Sequence, residues 1–500
     1  MTFPSYLDLS NLKALFPADF SQGELARAQT TFLKRLSLEA HGFYGGKMSM
    51  VPKAGIYGFG WFGVWYTPGV SAVSTAIRDN NLRSYDLSNR SNLVAIVSDS
   101  TRVLGDGDCT PSGGLGVMEG KALLMYYLGG IDAIPLCINT HTEEGSHRPG
   151  FDFTAMGKHD HSTDKIIDFV RMLAPSVGAV NLEDIAQPNC FRVLDELQDC
   201  GIPVWHDDAQ GTACVTLAGM INSLKLAGKE LKNTKAVFLG VGAANSTIIR
   251  LMLAEGLDPS NIISFDSKGG LHAGRDDLQR NPRSYRQWSL CQRTNPQRVE
   301  TIEEACKGAD ILCALSKPGP GVVEKAWISS MAEKAIVFAC ANPVPEIYPF
   351  EAKEAGAFIV ATGRSDFPNQ VNNSMCFPGL LKGSLLVNAS RVTDSMAIAA
   401  AHSIARAQQK RGLDSEHIMP TMEDVDVFPQ EAADVAAQAI QDGVAQRSIT
   451  PGEVYQQAHR DIQENRDTVQ MLMEREKIKP PPKEMIDAVI AATIAEIRGV

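Results

Sequence analysis

The sequence feature that most constrains the fold is an alternation, from residue 92 onward, of short apolar runs with segments of helical spacing. Asn92–Ser98 and Ile131–Ile138 are apolar runs of strand length, and Met118–Leu128 between them has helical spacing. Consecutive parallel strands need a crossover connection, which a helix usually supplies. The alternation therefore predicts an α/β protein with parallel sheets.

The order of these patterns divides the chain into three parts, and its 500 residues are enough for several domains. A second alternation begins with the apolar run Ala236–Leu239, and the chain from about residue 383 is rich in alanine and helical in spacing. A rigid linker at Lys479–Pro482 precedes a last helix over Glu484–Arg498. We expect an N-terminal α/β domain over residues 1–212, a Rossmann-like, doubly wound domain over 213–385 and a helical C-terminal region over 386–500.

The composition argues against several classes of partner. The formal net charge of −11 disfavours bulk electrostatic capture of nucleic acid or of anionic lipid. No apolar run reaches the roughly 18 residues of a membrane span, and the N-terminus lacks the pattern of a signal peptide. The 10 cysteines include no CxxC pair, which favours reduced thiols. We therefore expect a cytoplasmic protein that binds neither nucleic acid nor membrane.

Acidic residues follow two neighbouring strands of the predicted N-terminal domain. Glu183 and Asp184 come directly after the apolar run Val177–Leu182, and Asp208 follows the run Ile202–Trp205. Helical spacing between the runs predicts parallel neighbours, whose carboxyl ends meet at one edge of the sheet. Carboxylates that close stay ionised only beside a cation, and an all-oxygen set suits Mg²⁺ or Mn²⁺. Such residues can also be helix N-caps, and the spacing alone leaves both interpretations open.

A glycine-rich turn, GVGAAN over residues 240–245, lies between an apolar run and a helical segment. Two glycines allow the backbone to approach a pyrophosphate at a helix N-terminus, although Asn245 stands where a third glycine is usual. Asp266 ends the next predicted strand, where a carboxylate binds ribose hydroxyls and disfavours a 2′-phosphate. NAD is therefore favoured over NADP, and Lys268 weakens that preference. A plain α/β turn is the alternative. The candidate cofactor residues are Gly240, Gly242, Ala243, Ala244, Asn245 and Asp266.

Three further residues could act on a substrate. Lys121 could serve as a base if its pKa is lowered, and Arg102 could bind a carboxylate bidentately. Tyr66 lies in a segment, residues 55–69, whose glycines and aromatic residues are typical of loop and turn. Taken alone, each of the three is more often a structural or surface residue.

The order of the motifs along the chain is more specific than any one of them. Eight segments occur in sequence: YTPGV (66–70), SDSTRVLGDGD (98–108), MEGKALL (118–124), NLEDI (181–185), HDDAQGTA (206–213), GVGAAN (240–245), ANPVPE (341–346), and ATGRSDFPNQVNN (361–373) with FPG (377–379). Together they resemble the malic enzyme family, and its short bacterial form in particular, from about residue 50 to about residue 440.

The resemblance implies oxidative decarboxylation of L-malate to pyruvate and CO₂, with NAD or NADP and with Mg²⁺ or Mn²⁺. It also implies a homodimer or homotetramer. It assigns Glu183, Asp184 and Asp208 to the metal. Lys121 would take the hydroxyl proton, Asp207 would tune it, and Tyr66 would protonate C3. Carboxylates and the hydroxyl would be held by Arg102, Asn342, Asn372 and Asn373, of which Asn342 would also contact the cofactor.

Departures from the family pattern make the chain a divergent member. Asp106 stands in LGDGD, where the family usually has an apolar residue, so a malate analogue with a different C3 substituent is an alternative substrate. A malolactic reaction, in which the cofactor stays bound and lactate is released, would use the same residues. A non-catalytic relative that binds a metabolite and regulates a partner is the third possibility.

Overall fold

The computed structural model describes residues 4–103, 106–142 and 161–499. Of these, the residues within Met1–Met48 and Arg466–Val500 form one compact unit, and those within Ser49–Asn465 form another. The three-domain division at residues 212 and 385 stays a prediction. Most of the polar stretch 139–163 lies outside the described residues.

All ten strands of the described chain lie in the larger unit. They are β1 (Leu93–Ser98), β2 (Asp132–Cys137), β3 (Ala179–Leu182), β4 (Val204–His206), β5 (Ala236–Leu239), β6 (Ile262–Asp266), β7 (Gly269–Gly270), β8 (Ile311–Ala314), β9 (Ile336–Ala339) and β10 (Ile359–Thr362).

The helices surround these strands and make up most of the C-terminal part. The first ten are α1 (Gln22–Tyr44), α2 (Phe62–Trp65), α3 (Val70–Asp79), α4 (Ser84–Leu87), α5 (Thr110–Gly113), α6 (Leu115–Gly129), α7 (Thr163–Leu173), α8 (Asn189–Glu196), α9 (Thr212–Ala227) and α10 (Ala243–Ala254). The others are α11 (Asp276–Gln279), α12 (Tyr285–Arg293), α13 (Ile302–Cys306), α14 (Lys325–Ser329), α15 (Pro349–Glu354), α16 (Phe377–Leu386), α17 (Asp394–Arg411), α18 (Val427–Gln441), α19 (Pro451–Glu474) and α20 (Lys483–Arg498).

The first sheet has four parallel strands in the order β2-β1-β3-β4. Strands β3 and β4 are buried along their whole length, and accordingly apolar residues stand next to one another in them rather than alternating with exposed polar ones. Helices α7 and α8 pack on this sheet through an apolar core that includes Ile166, Val170 and Phe191. Because β3 and β4 are parallel neighbours, the residues that follow them emerge at the same edge.

The second sheet has six strands in the order β10-β9-β8-β5-β6-β7, all parallel except the short β7. The chain leaves β5 for β6 on one side and later returns to β8 on the other, so the strand order reverses at β5. Ligands of such sheets bind in the crevice at this reversal, beyond the carboxyl ends of the strands. The predicted fold class, an α/β protein with a Rossmann-like domain and C-terminal helices, is confirmed.

The C-terminal helices of the larger unit pack against two helices that follow strands of the first sheet, α6 after β1 and α9 after β4. Helix α17 packs against α9 and α18, and α16 packs against α18 and α6. None of the helices in the described residues is long and apolar enough to cross a membrane. Residues 59–65, expected as loop, instead form a short 3₁₀ turn and helix α2, because their aromatic side chains tolerate helical backbone and no proline interrupts them.

The smaller unit is built around helices α1 and α20. Ser21 and Glu24 form a capping box that starts α1, with each side chain bonded to the backbone N–H of the other residue. Phe16 and Phe32 meet edge to face, with ring centroids 5.9 Å apart, and Ile486 of α20 belongs to the same apolar core. This packing makes the last segment of the chain part of a folded unit.

Candidate active site

Strands β3 and β4 bring three carboxylates together. Glu183 and Asp184 directly follow β3, and Asp208 lies on the π-helical turn Asp207–Gly211 that follows β4. One oxygen from each of these three carboxylates lies within 4.8 Å of the other two. Glu183, Asp184 and Asp208 are called the carboxylate cluster below.

The backbone of Asp184 fixes one side of the carboxylate cluster. Its φ of 52° is left-handed, a conformation that asparagine and aspartate tolerate better than other side chains with a Cβ. Its N–H donates to Oδ2 of Asp208 over 2.8 Å, and its carbonyl oxygen accepts from the N–H of Arg102 over 2.9 Å. These bonds join the ends of β3 and β4 to the loop that follows β1.

Lys121, on helix α6, is buried beside the carboxylate cluster. Its ammonium group donates to Asp207 and lies 3.2 Å from Oε1 of Glu183. The indole N–H of Trp205 donates to the other oxygen of Asp207 over 3.1 Å, so Asp207 is held from two sides. A solvated surface lysine, the ordinary interpretation of this position, is excluded by the burial.

Burial and charge oppose each other at this lysine. Burial lowers the pKa of Lys121, but the carboxylates of Asp207, Glu183 and Asp208 raise it by more, so that the net direction is upward. Burial also raises the pKa of Glu183 and of Asp207, against the attraction of the Lys121 ammonium group. A cation bound by the carboxylates would oppose their attraction for the lysine proton.

The residues present fit a divalent cation. The carboxylate cluster and Asp207 bring four carboxylates together, and the Lys121 ammonium bridges only Glu183 and Asp207. Among these five residues, four carboxylates face one ammonium group, a balance that a bound cation would improve. An all-oxygen donor set without histidine or cysteine suits Mg²⁺ or Mn²⁺ better than Zn²⁺.

The glycine-rich turn after β5 has the backbone that a dinucleotide needs. Gly240 has a φ of +86°, and a Cβ there would lie 2.6 Å from the carbonyl oxygen of Leu315, so only glycine fits. Gly242 precedes α10 without a side-chain cap, and the nearest atoms to a Cβ there belong to Gln187, 3.8 Å away. The first N–H groups of α10, at Ala243 and Ala244, therefore border an open cradle.

Asn245, which stands in place of the third glycine, is bonded into the turn by its side chain. Its side chain is buried, and its Nδ2 donates to the carbonyl oxygens of Leu239, over 3.1 Å, and Gly240, over 2.7 Å. The side chain therefore closes the turn from inside, and only its backbone is available to a cofactor.

The cofactor turn and the carboxylate cluster lie close to each other. Gln187, near the cradle of Gly242, comes three residues after Asp184. On the other side, a Cβ at Gly211, in the π-helical turn, would lie 3.2 Å from Cβ of Asn373. A bound dinucleotide would thus reach the edge at which the carboxylates emerge.

The three candidate asparagines are placed differently. The side chain of Asn342 lies against Gly363, since a Cβ there would be 3.1 Å from its amide group. Asn373 borders the π-helical turn, as described above. Asn372 uses its Oδ1 to accept the N–H of Ser374 over 2.9 Å, which starts the turn that carries Asn373. Asn372 is thus placed to position its neighbour.

Two candidate residues stand apart from this cluster. Arg102 has an exposed side chain that makes no hydrogen bond with any described residue, although its backbone bonds to Asp184. Tyr66 is 71% exposed, and its hydroxyl group likewise bonds to no described residue. Asp106 is exposed, and nothing in the structure gives its carboxylate a role.

Glu346, a buried carboxylate beside the cofactor turn, was not among the residues predicted from the sequence. Glu346 accepts the N–H groups of Ser316, over 2.8 Å, and of Ala341, over 3.0 Å, and burial raises its pKa to about 7. It therefore ties the loop that touches Gly240 to the loop that carries Asn342. The signal was present, because Glu346 ends the ANPVPE motif, but burial is not visible in a motif.

Comparisons with known proteins agree along most of the chain. The family model described as the malic enzyme N-terminal domain matches residues 60–198, and the one described as the malic enzyme NAD binding domain matches residues 209–441. The crystal structure of Entamoeba histolytica malic enzyme is 53% identical, with a TM-score of 0.93, and the match covers 98% of both chains. The match therefore includes most of the chain beyond residue 440, where the resemblance carried by the motifs ended.

Two bacterial relatives are similar over most of their own length. The bifunctional malic/malolactic enzyme of Bacillus subtilis is 38% identical over 84% of this chain and 97% of its own. The NAD-dependent malic enzyme of Geobacillus stearothermophilus is 39% identical over 77% of this chain and 75% of its own. These matches confirm the resemblance indicated by the motifs, and the chain belongs to the malic enzyme family.

Proposed function

We propose that the chain oxidises L-malate and removes CO₂ from it, giving pyruvate and reduced NAD(P). The observation that carries this proposal is the position of Lys121, a buried amine that Asp207 holds against the carboxylate cluster. A lysine beside a cation site is suited to taking the proton of a substrate hydroxyl group. The cofactor turn near the same edge provides the place for a hydride acceptor.

The chain's own residues would act on malate in distinct ways. Lys121 would take the proton of the C2 hydroxyl group through its Nζ, and Asp207 would keep that nitrogen in place. The exposed guanidinium of Arg102 would bind a substrate carboxylate bidentately. The hydroxyl and the other carboxylate would be bound by Asn342 and Asn373, with Asn372 alongside, where its Oδ1 holds the turn that carries Asn373.

The same proposal assigns the metal and the cofactor. Glu183, Asp184 and Asp208 would hold Mg²⁺ or Mn²⁺, which supplies Lewis-acid stabilisation of the charge that develops as CO₂ leaves. The dinucleotide NAD(P) would be bound by Gly240, Gly242, Ala243, Ala244, Asn245 and Asp266, with the amide of Asn342 at its reactive end.

A product assay tests this proposal against its alternatives. With malate, Mn²⁺ and either dinucleotide, we expect pyruvate and reduced cofactor in equal amounts. The similarity to a malic/malolactic enzyme supports a second candidate, for which lactate would form without net reduction of the cofactor. A parallel reaction with 3-substituted malates tests the alternative substrates that Asp106 suggests. Absence of any product from all of these acids would leave the regulatory alternative.

The exposure of Tyr66 supports a homodimer in which each copy completes the site of the other. A residue that protonates C3 must approach the substrate, yet the Tyr66 phenol is exposed and bonds to no described residue of its own chain. It lies beside exposed aromatic side chains, with Phe59 88% exposed and Trp65 stacked on Trp61. Apolar patches of this kind mark interfaces. We propose that this patch is covered by a second copy, whose carboxylate cluster then receives Tyr66; a homotetramer would pair two such dimers.

Mixed dimers test this arrangement. Tyr66→Phe and Lys121→Met should each be nearly inactive, because each removes a proton-transfer group from both sites. Co-expressed with different tags, they should recover about a quarter of the wild-type activity, since half of the dimers are mixed and each mixed dimer has one intact site. The control is co-expression of Tyr66→Phe with the double variant, which restores no site. Absence of recovery in isolated mixed dimers would place Tyr66 in the site of its own chain.

A further inference from the structure

A charged cluster lies at the carboxyl end of β6, where the adenosine ribose of the cofactor would bind. It consists of Asp266, Lys268, Arg275 and Asp277 and is called the Arg275 cluster below. The sequence favoured NAD on the assumption that the Asp266 carboxylate is free to bind ribose hydroxyls and to repel a 2′-phosphate. In the fold, that carboxylate is neither free nor unopposed in charge.

Arg275 pairs with Asp266 through both of its terminal nitrogens. Nη1 donates to Oδ1 of Asp266 over 3.0 Å, and Nη2 donates to Oδ2 over 2.7 Å. The N–H of Lys268 donates to the same Oδ1 over 2.8 Å. Three of the roughly four acceptor sites of the carboxylate are therefore filled, and its negative charge is cancelled by a guanidinium in contact.

All five N–H groups of Arg275 are used. Besides the two bonds to Asp266, Nε and Nη2 donate to the two oxygens of Asp277 over 2.8 and 3.0 Å, and Nη1 donates to the carbonyl oxygen of Gly270 over 3.3 Å. These hydrogen bonds, with Asp277 first, raise the pKa of Arg275, and they lower the pKa of Asp277. Arg275 is thus a fixed charge that has no donor left over for a ligand.

Lys268 is the exposed cation of the Arg275 cluster. Its side chain is 68% exposed, and its ammonium group is held by a single contact, 3.1 Å from Oδ2 of Asp277. The cluster contains two carboxylates and two cations, so it carries no net charge to repel a phosphate. An ammonium group on a flexible stem is suited to binding a phosphate as a point charge, and a dianionic phosphate would compete with Asp277 for it.

We propose that the Arg275 cluster is a 2′-phosphate site, so that the chain binds NADP at least as tightly as NAD. Lys268 leaves Asp277 and donates to the 2′-phosphate, while Arg275 keeps the charge of Asp266 neutralised. This inference rests on the proposed function, because it requires that the cofactor turn binds a dinucleotide.

Calorimetric binding to the full chain tests the proposal without catalysis. The probes are adenosine 2′,5′-bisphosphate, which carries the 2′-phosphate, and 5′-AMP, which lacks it. We expect the bisphosphate to bind more tightly. Lys268→Met should lower the ratio of the two affinities by roughly tenfold, because one charge-assisted contact is lost. Asp277→Asn should raise that ratio, since it releases Lys268 from its competitor.

The control is Lys325→Met, which removes an exposed lysine that is likewise paired with one carboxylate, Glu354. This variant should leave the affinity ratio unchanged. A lower affinity for the bisphosphate than for 5′-AMP, or a ratio that Lys268→Met does not reduce, would overturn the 2′-phosphate site while leaving the proposed function intact. Failure of both probes and of both intact dinucleotides to bind would overturn the cofactor site itself, and the proposed function with it.

Discussion

Replacing Lys121 by methionine should lower kcat for malate oxidation by about 100-fold to 10,000-fold, the usual effect of losing a general base. Methionine keeps the length and apolar stem of the side chain but removes the nitrogen that contacts Asp207 and Glu183. KM for NAD(P) should change little, because the cofactor turn lies on the other sheet. Steady-state kinetics with each substrate varied in turn separates the two effects.

The same replacement should also lower the free energy of unfolding, by an amount that depends on whether Mn²⁺ is present. Without Lys121, two buried carboxylates lose their counter-charge, which we expect to cost about 3–5 kcal/mol of the free energy of unfolding. Mn²⁺ should restore part of this loss, and its effect on the melting temperature should exceed that on the wild type. Lys325→Met is the control and should alter neither property. A Lys121→Met enzyme that keeps near-wild-type kcat would contradict the assigned role.

Replacing Asp184 by asparagine should weaken the binding of Mn²⁺ by at least about 100-fold, since outer residues of metal sites alone contribute 10-fold to 100-fold. Asparagine adopts the left-handed backbone of this position as readily as aspartate does, so the hydrogen bonds of the main chain to Asp208 and Arg102 should survive. The substitution therefore removes charge with little change of shape. Titration of Mn²⁺ followed by electron paramagnetic resonance measures the affinity directly.

Asp164→Asn provides the matched control, because Asp164 is an exposed carboxylate paired with Arg192. It should leave Mn²⁺ affinity as in the wild type. If the Asp184→Asn protein also bound Mn²⁺ as tightly as the wild type does, the carboxylate cluster would not be the site that holds the ion. Saturating Mn²⁺ should recover part of the activity of Asp184→Asn, whereas it should recover none in Lys121→Met.

Much of the fold could be predicted because strands and helices leave local patterns in the sequence, and the order of those elements restricts how the strands can pair. The apolar runs before Glu183 and before Asp208 are too short for helices, and the segment between them has helical spacing. Parallel pairing of those strands then places their acidic residues at one edge, as β3 and β4 do. The Gly240 turn was predictable for a similar reason, since a strand, a tight turn and a helix are all local features.

What escaped prediction depends on contacts between residues far apart in the chain. Position 121 has no local signal that distinguishes a buried lysine from a solvated one, because Asp207 lies 86 residues away. The pairing of Asp266 with Arg275 depends on the short strand β7 folding back on β6. The exposure of Tyr66 depends on how the aromatic segment lies on the rest of its unit. Each of these contacts bears on a predicted role without changing the predicted fold.

The proposed reaction requires a divalent cation at the carboxylate cluster when this chain oxidises and decarboxylates malate. Its most direct test is malate-dependent formation of reduced NAD(P) by purified protein, measured after chelation and again after stepwise addition of Mn²⁺. We expect no turnover without the cation and full recovery as one ion per chain is bound, with one pyruvate formed for each cofactor reduced. Turnover that is unaffected by chelation, or none with Mn²⁺, malate and either dinucleotide, would contradict it.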